Sequence, residues 1–478
     1  MSKTVLISGN FNILHPGHLR LMRFAKECGD RLIVAVASDR VAGTDSMVPQ
    51  DLRLDGVRSN NLVDESFIWD DTITSLINEI RPDIVVKGRE HEGLSNPEIE
   101  ALKIYGGKLI FSSGESIFST VELLRAEFLS TKFTSIECPN EYIGRHSLER
   151  NSMLEVIKKF SEINICVVGD LIVDEYIACD PLGMSQEDPT IVVTPVHTSK
   201  FIGGAGIVAA HAAGLGAKVS YVTVSGDDEI YLYAKSKLIE YGVDAKIIVD
   251  DTRPTTLKQR YRSKGKTLLR VSHLHQGSIS SELQNRFYEK VRERLDYCRL
   301  LIFSDFNYGC LPQALVDRII RDAKSRDIML VADSQSSSQV GDIGRFFGMD
   351  LLTPTEREAR ISTRNYSDGL VVLAEKMRSQ SGAKNIILKM GEEGALIHTQ
   401  TTEEGGIWHT DQIAALNRAP KDPSGAGDSM LTVASLCLAC GANIWLSTYL
   451  ASFAAAIQVG RVGNIPITSK ELISEITK

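Results

Sequence analysis

Short β-branched runs alternate with amphipathic segments twice along this 478-residue chain, and that alternation leaves few folds open. In the first stretch, residues 4–8, 31–37, 83–86 and 108–111 read as short, β-branched-rich buried strands. Helical periodicity falls between them at 19–27 and 72–79, and residues 121–128 would close the series. Buried strands separated by helices predict a doubly wound, mainly parallel sheet. The second series opens at Ile165 and Gly169-Asp170 and continues at 218–224, 300–304, 328–332, 351–353 and 386–389. Residues 191–195 and the polar, alternating stretch 255–271 break this rhythm and read as antiparallel strands projecting as a lid. Between the series, a polar segment (Cys138-Pro139-Asn140-Glu141) precedes a charged helical run at 148–160. The reading is therefore α/β with two domains, at 1–135 and 161–478, joined by a linker and connecting helix at 136–160.

Composition narrows the function classes. Hydrophobic content of 43% and charged content of 24% are ordinary for a globular protein with real cores. A net charge of −8 disfavours broad nucleic-acid binding and leaves room for local phosphate pockets. No run of about 18 apolar residues is present, so no membrane span is expected. The N-terminus reads as a strand rather than a signal peptide. Eight scattered cysteines fit a reducing cytoplasm. Cys437 and Cys440 sit in an apolar helical run and read as buried thiols.

Two motifs carry chemistry. In Lys421-Asp422-Pro423-Ser424-Gly425-Ala426-Gly427-Asp428-Ser429 the small residues let backbone N–H groups converge on an anion, and an apolar helix follows. Asp428 then stands where a hydroxyl must lose its proton to attack a phosphate. Taken alone, such a turn also serves purely structural ends. Far upstream, strand 4–8 runs into Gly9-Asn10-Phe11-Asn12-Ile13-Leu14-His15-Pro16-Gly17-His18. Pro16 suits a first helical turn, Gly17 admits a phosphate to the backbone, and His15 and His18 share one face. Two imidazoles there can donate to a triphosphate, or ligate a metal if a cysteine or carboxylate joins them.

The upstream motif resembles the HxGH nucleotidyltransferases, the adenylyl- or cytidylyltransferase domains that act on sugar and polyol phosphates, over residues 3–128. The resemblance includes Ser38-Asp39, Arg53, Arg81-Pro82-Asp83 through Lys87-Gly88, and Ser119-Thr120. It implies a Rossmann-like domain in which His15 and His18 bind and activate the triphosphate. Gly9, Phe11 and Gly17 would line the nucleotide site, Ser119 and Thr120 would cap a facing helix, and Arg53 and Lys87 would add positive charge. The sequence departs from that family at Asn12, at Glu90, at Phe118, and in loop 41–47, which carries no lysine and leaves Arg40 as the nearby cation. Class I aminoacyl-tRNA synthetases share the HxGH turn, but no KMSKS-like loop, tRNA-binding extension or basic balance accompanies it here.

The downstream motif has partners. Gly203-Gly204 opens an apolar helix, and Asp170 and Asp174 follow the first strand of that region, where carboxylates suit sugar hydroxyls. With Ser304-Asp305, Thr353-Pro354, Glu358 and Asp428, the stretch 164–467 resembles the ribokinase-like sugar kinases. Its nearest form there is the kinase half of the bacterial bifunctional heptose-phosphate kinase and adenylyltransferase. The resemblance implies that Asp428 is the base and that Gly425, Ala426 and Gly427 form the anion hole. It places Mg2+ through water on Glu358, and sets Asp170, Asp174, Gly203, Gly204 and Arg260 toward the sugar. Ser452 would stand on the adenine side. Ile207, Tyr308, Gln335 and Thr355 depart from that family's pocket, and the family places its kinase first, whereas here the transferase comes first.

Together these resemblances imply a bifunctional enzyme for NDP-sugar synthesis. ATP and Mg2+ would phosphorylate a heptose 7-phosphate-like sugar, and ATP or CTP would then meet the sugar 1-phosphate to give an ADP-heptose-like product and pyrophosphate. The partners expected are small molecules and a second copy in a homodimer, with no nucleic acid and no membrane. The alternative keeps the kinase and makes the N-terminal domain a regulatory nucleotide-binding module.

Overall fold

The computed structural model describes residues 3–14, 16–43, 46–88, 96–112, 136–263, 266–336, 341–400 and 409–477. The expected helix at 121–128 lies outside them. Two compact units divide the chain, Met1–Phe133 and Thr134–Lys478.

The first unit is built on β1 (Thr4–Gly9), β2 (Arg31–Ala37), β3 (Glu65–Trp69), β4 (Ile84–Gly88) and β5 (Lys108–Ser112). All pair in parallel in the order β3-β2-β1-β4-β5. Alternating side chains fill two cores. Val5, Ile7, Val34 and Val36 face one way, and Leu6, Ile33 and Ala35 the other. That two-sided burial explains the continuous apolar runs. Helix α1 (Pro16–Cys28) crosses from β1 to β2 and packs Met22 and Ala25 into the first of these cores.

In the second unit, a nine-stranded sheet holds β6 (Asn164–Gly169), β9 (Lys218–Ser225), β10 (Asp244–Val249), β13 (Leu300–Asp305), β14 (Met329–Ser334), β15 (Leu351–Leu352), β16 (Asn385–Lys389), β17 (Ala395–Thr399) and β18 (His409–Ile413). Its order is β10-β9-β6-β13-β14-β15-β16-β17-β18, parallel up to β16 and antiparallel at the last two pairings. A separate sheet, β12-β11-β7-β8, forms the lid. It comprises β7 (Leu171–Met184), β8 (Ile191–Gly204), β11 (Thr256–Ser263) and β12 (Lys266–His273). The lid is larger than the sequence pattern indicates, because β7 continues directly out of the Gly169-Asp170 turn.

The stretch read as linker and connecting helix is packed rather than free-standing. Helix Asn140–Arg145 and α2 (Arg150–Lys159) send Tyr142, Met153, Val156 and Ile157 into the larger core of the second unit. Three further helices matter below: α3 (Ala205–Gly214), α4 (Glu356–Thr363) and α5 (Ala426–Ala439). Helix α6 (Ile444–Val459) lies against α5. No helix among the described residues is long and apolar enough to cross a membrane.

Candidate functional site

In the first unit β1 runs into the loop that precedes α1. Phe11 is buried there with φ 51°, a left-handed conformation unusual outside glycine, and its ring lies 5.1 Å from that of His18. A Cβ on Gly9 would come within 3.2 Å of the Phe11 ring, so the loop closes tightly on the strand end. Gly17 and His18 lie in the first turn of α1. Asn12 Oδ1 accepts from Met47 N (3.0 Å), tying this loop to loop 41–47. His15, Glu90, Phe118, Ser119 and Thr120 fall outside the described residues.

Arg53 and Lys87, the cations singled out in the sequence, are both engaged. The Arg53 side chain is buried, donating Nε to Val48 O (2.8 Å), Nη1 to Asn10 O (2.6 Å) and Nη2 to Asp39 Oδ1 (2.6 Å). It therefore braces the loop from beneath, and with Ser46 it holds the Asp39 carboxyl below its usual range. Lys87 Nζ donates to Glu98 Oε1 (2.7 Å) and Asn96 Oδ1 (2.9 Å).

In the second unit the ends of the parallel strands β14 and β16 bring Asp333 and Lys389 beside the N-terminus of α5. Gly425, at φ 78°, caps that helix, and Ala426 and Gly427 form its first turn. Asp428 follows, buried, and Gln335 Nε2 donates to its Oδ1 (3.0 Å). Burial and the Asp333 carboxylate push the Asp428 carboxyl up to about 7, against the pull of Lys389. A carboxylate held near neutrality on a helix N-terminus is suited to take a proton and release it.

Facing it are the residues expected from the sequence to meet a sugar. Asp174 is buried, with Arg260 Nη2 donating to Oδ1 and Asn464 Nδ2 to Oδ2, both at 3.3 Å. Gly203 pairs with Ile172 on the neighbouring strand, and a Cβ there would press on Asp174 Oδ2. Gly204, at φ 61°, starts α3 where a Cβ would strike Asp170 O. Arg260 also donates Nη1 to Ser424 Oγ (2.7 Å) and lies over the Tyr176 ring.

Asp170 stands differently. Its carboxylate accepts from Phe306 N (2.8 Å), Cys310 N (3.3 Å) and Tyr308 N (3.5 Å), so it organises loop 306–310. Burial and the neighbouring Asp305 push it up to about 6. Asp170→Ala strands those amides in the interior and is expected to cost about 2–4 kcal/mol. Denaturant melts at pH 8 check this.

Glu358 closes a capping box on α4. Its Oε2 accepts from Thr355 N (2.8 Å), and Thr355 Oγ1 accepts from Glu358 N (3.2 Å). Its other oxygen takes Ser336 N (2.9 Å). Ser452 lies buried in α6 with its hydroxyl donated to Thr448 O (2.9 Å). The structure thus gathers Asp174, Arg260, Gly203 and Asp428 around the Gly425–Gly427 turn, while Asp170 and Ser452 are engaged with backbone.

Several neighbours were not singled out from the sequence. Lys258 and Arg262 flank Arg260 at two-residue spacing on β11, which puts all three on one face of the strand. Lys258 lies 5.1 Å over the rings of both Phe306 and Tyr308. Asp422 accepts from Gly463 N (3.1 Å) and faces Arg262. Asp333 and Lys389 pair at 2.9 Å. Their shared signal was available: each of these last two is a charge ending an apolar parallel strand, at the sheet edge where ligands bind.

Known proteins match both units. Residues 6–113 match the cytidylyltransferase-like family, and residues 162–471 match the pfkB family carbohydrate kinases. The bifunctional protein HldE of Desulfatibacillum aliphaticivorans is 30% identical over 324 residues, covering 67% of this chain and 64% of its own. HldE of Campylobacter jejuni subsp. doylei is 30% identical over 329 residues, 67% of this chain and 66% of its own. The chain therefore spans slightly less than two thirds of these relatives. Among solved structures, Escherichia coli phosphofructokinase-2 in complex with substrates and products aligns at TM-score 0.55 and 15% identity, over 66% of this chain and 100% of its own. Thermotoga maritima ribokinase aligns at 0.52 and 20%, over the same shares. These two share the fold of the second unit. The nucleotidyltransferase-like match precedes the kinase match in this chain, and with well over half of its length matching that second family, the chain belongs to the pfkB family of carbohydrate kinases.

Proposed function

We propose that the chain is a two-step sugar-activating enzyme. The second unit phosphorylates a sugar phosphate with ATP, and the first joins the resulting sugar 1-phosphate to a nucleotide from ATP or CTP, releasing pyrophosphate. The observation that carries the kinase half is Asp428, buried at the N-terminus of α5 beside an anion-binding turn and facing Asp174. The basic face of β11 at Lys258, Arg260 and Arg262 supports a substrate that already bears a phosphate. Heptose phosphate is the leading candidate, in line with the HldE relatives. The enzyme would work in the cytoplasm as a homodimer.

Magnesium fits this site as a partner of the nucleotide. No cluster of three or more acidic, histidine or cysteine ligands exists among the described residues. Glu358 offers a buried carboxylate whose two oxygens each accept one amide, leaving lone pairs for metal-bound water. Bound there with ATP, the ion would neutralise phosphate charge.

A panel of sugar phosphates with MgATP or MgCTP, followed by phosphorus NMR, tests both halves. His18→Ala is expected to lower pyrophosphate release at least about 100-fold, the usual scale for a lost charge-stabilising donor, and to spare ADP formation. One observation favours a second reading, in which the first unit only binds nucleotide and regulates. Arg53 spends its donors on its own loop, and Lys87 is paired with Glu98. That reading predicts nucleotide binding with no pyrophosphate from any sugar 1-phosphate.

A further inference from the structure

Lys389 ends β16 with its ammonium forked between both oxygens of Asp333, at 3.0 and 2.9 Å. Its backbone N–H donates to Pro354 O (2.7 Å), which fixes this strand end against the start of α4. Lys389 lines a cavity of about 440 Å3 together with Thr355, Met390, Gly391 and Arg357. A Cβ on Gly427 would stand 3.2 Å from Nζ, so the ammonium lies beside the backbone of the anion-binding turn. A buried ion pair is a poor device for stability alone, since an apolar pair of similar volume does as well or better. This one borders the base and an open cavity. Burial pulls the Lys389 pKa down, but Asp333 and Glu358 more than restore it, so the group remains a cation.

We propose that Lys389 is a catalytic residue of the kinase half: aimed by Asp333, its ammonium binds the transferring phosphoryl group at the Gly425–Gly427 turn. This rests on the kinase reading above. In the step, the sugar oxygen loses its proton to Asp428 and bonds to the γ-phosphorus of ATP. The bond from that phosphorus to the β–γ bridging oxygen breaks, and ADP leaves with the electron pair. Lys389 keeps its protons and donates one N–H to a phosphoryl oxygen as negative charge is redistributed.

The test uses Lys389→Met, Lys389→Arg and Asp333→Asn in the full chain, with ATP and the sugar phosphate that gives the wild type most ADP. Lys389→Met is expected to lower kcat about 100- to 1,000-fold with little change in the sugar KM, and Lys389→Arg to recover part of the loss. The pH profile adds a readout that packing alone would not move. Losing a cation beside Asp428 shifts the acid limb of kcat to higher pH, and losing the Asp333 anion shifts it to lower pH. Thermal melts identify any variant that fails to fold, and Asp333→Asn and Lys389→Arg then carry the test. Wild-type kcat in a folded Lys389→Met, or an acid limb unmoved in folded Lys389→Met or Asp333→Asn, overturns the proposal. ADP formation that survives Asp428→Asn is a different result, which removes the kinase reading itself.

Discussion

Asp428→Asn is expected to suppress ADP formation by about 100- to 10,000-fold, the range for loss of a general base, while making the protein more stable at pH 8. The two effects share one cause. Burial and the Asp333 carboxylate raise the Asp428 carboxyl to about 7, so ionising it in the folded protein is unfavourable. For a group whose folded pKa lies above its unfolded value, the stabilising contribution is full below the unfolded value and is lost as pH rises through the folded one. The window here runs from about pH 4 to about pH 7. Asparagine mimics the protonated side chain and has no charge to bury. Its variant should gain on the order of 1–4 kcal/mol at pH 8, with the difference vanishing near pH 4. Calorimetry at both pH values checks the sign. The wild-type profile should show the same group as an acid limb in kcat/KM close to neutrality.

Gly203→Ala is the second large effect, and it acts on the sugar rather than the phosphate. Gly203 lies opposite Ile172 where β7 and β8 pair, and an added Cβ would press on Asp174 Oδ2. Backbone cannot yield easily there, because Gly204 next to it is already held at φ 61° at the start of α3. The carboxylate must swing away, giving up the geometry shared with Arg260 and Asn464. The expected outcome is a rise in the sugar KM of about 10- to 100-fold, the scale of a lost charged hydrogen bond, with the nucleotide KM nearly unchanged. Steady-state kinetics on both substrates separates the two. An equal rise in both constants would show that the substitution disturbs the whole domain.

Much of this architecture was visible in the sequence because its signals are local. Val5 to Ile7 and Ile165 to Val168 are continuous apolar runs, and parallel strands buried on both faces require them. The Gly425–Asp428 turn was legible because a left-handed cap and a helix N-terminus need small residues in sequence order. What was hidden depends on distance. β3 is an edge strand, Glu-Ser-Phe-Ile-Trp, whose half-polar sequence carries no buried run. Arg53 is visible as a cation, yet its donors meet Asn10 and Asp39, 43 and 14 residues away, and only folding shows that they are spent on the loop. Asp170 and Asp174 look alike in sequence, but one takes three loop amides and the other faces Arg260. Lys389 was the subtlest: one charge after three apolar residues, with nothing nearby in sequence to mark Asp333 as its partner.

The central claim is that one chain carries two separate chemistries, and a paired phosphorus NMR time course addresses it most directly. Wild type, Asp428→Asn and His18→Ala would each be given MgATP with the accepted sugar phosphate, and separately MgATP or MgCTP with the corresponding sugar 1-phosphate. The account predicts that Asp428→Asn forms no ADP from the first mixture yet still releases pyrophosphate from the second, and that His18→Ala does the reverse. ADP formation undiminished in Asp428→Asn, or no pyrophosphate from wild type with any sugar 1-phosphate, would contradict it.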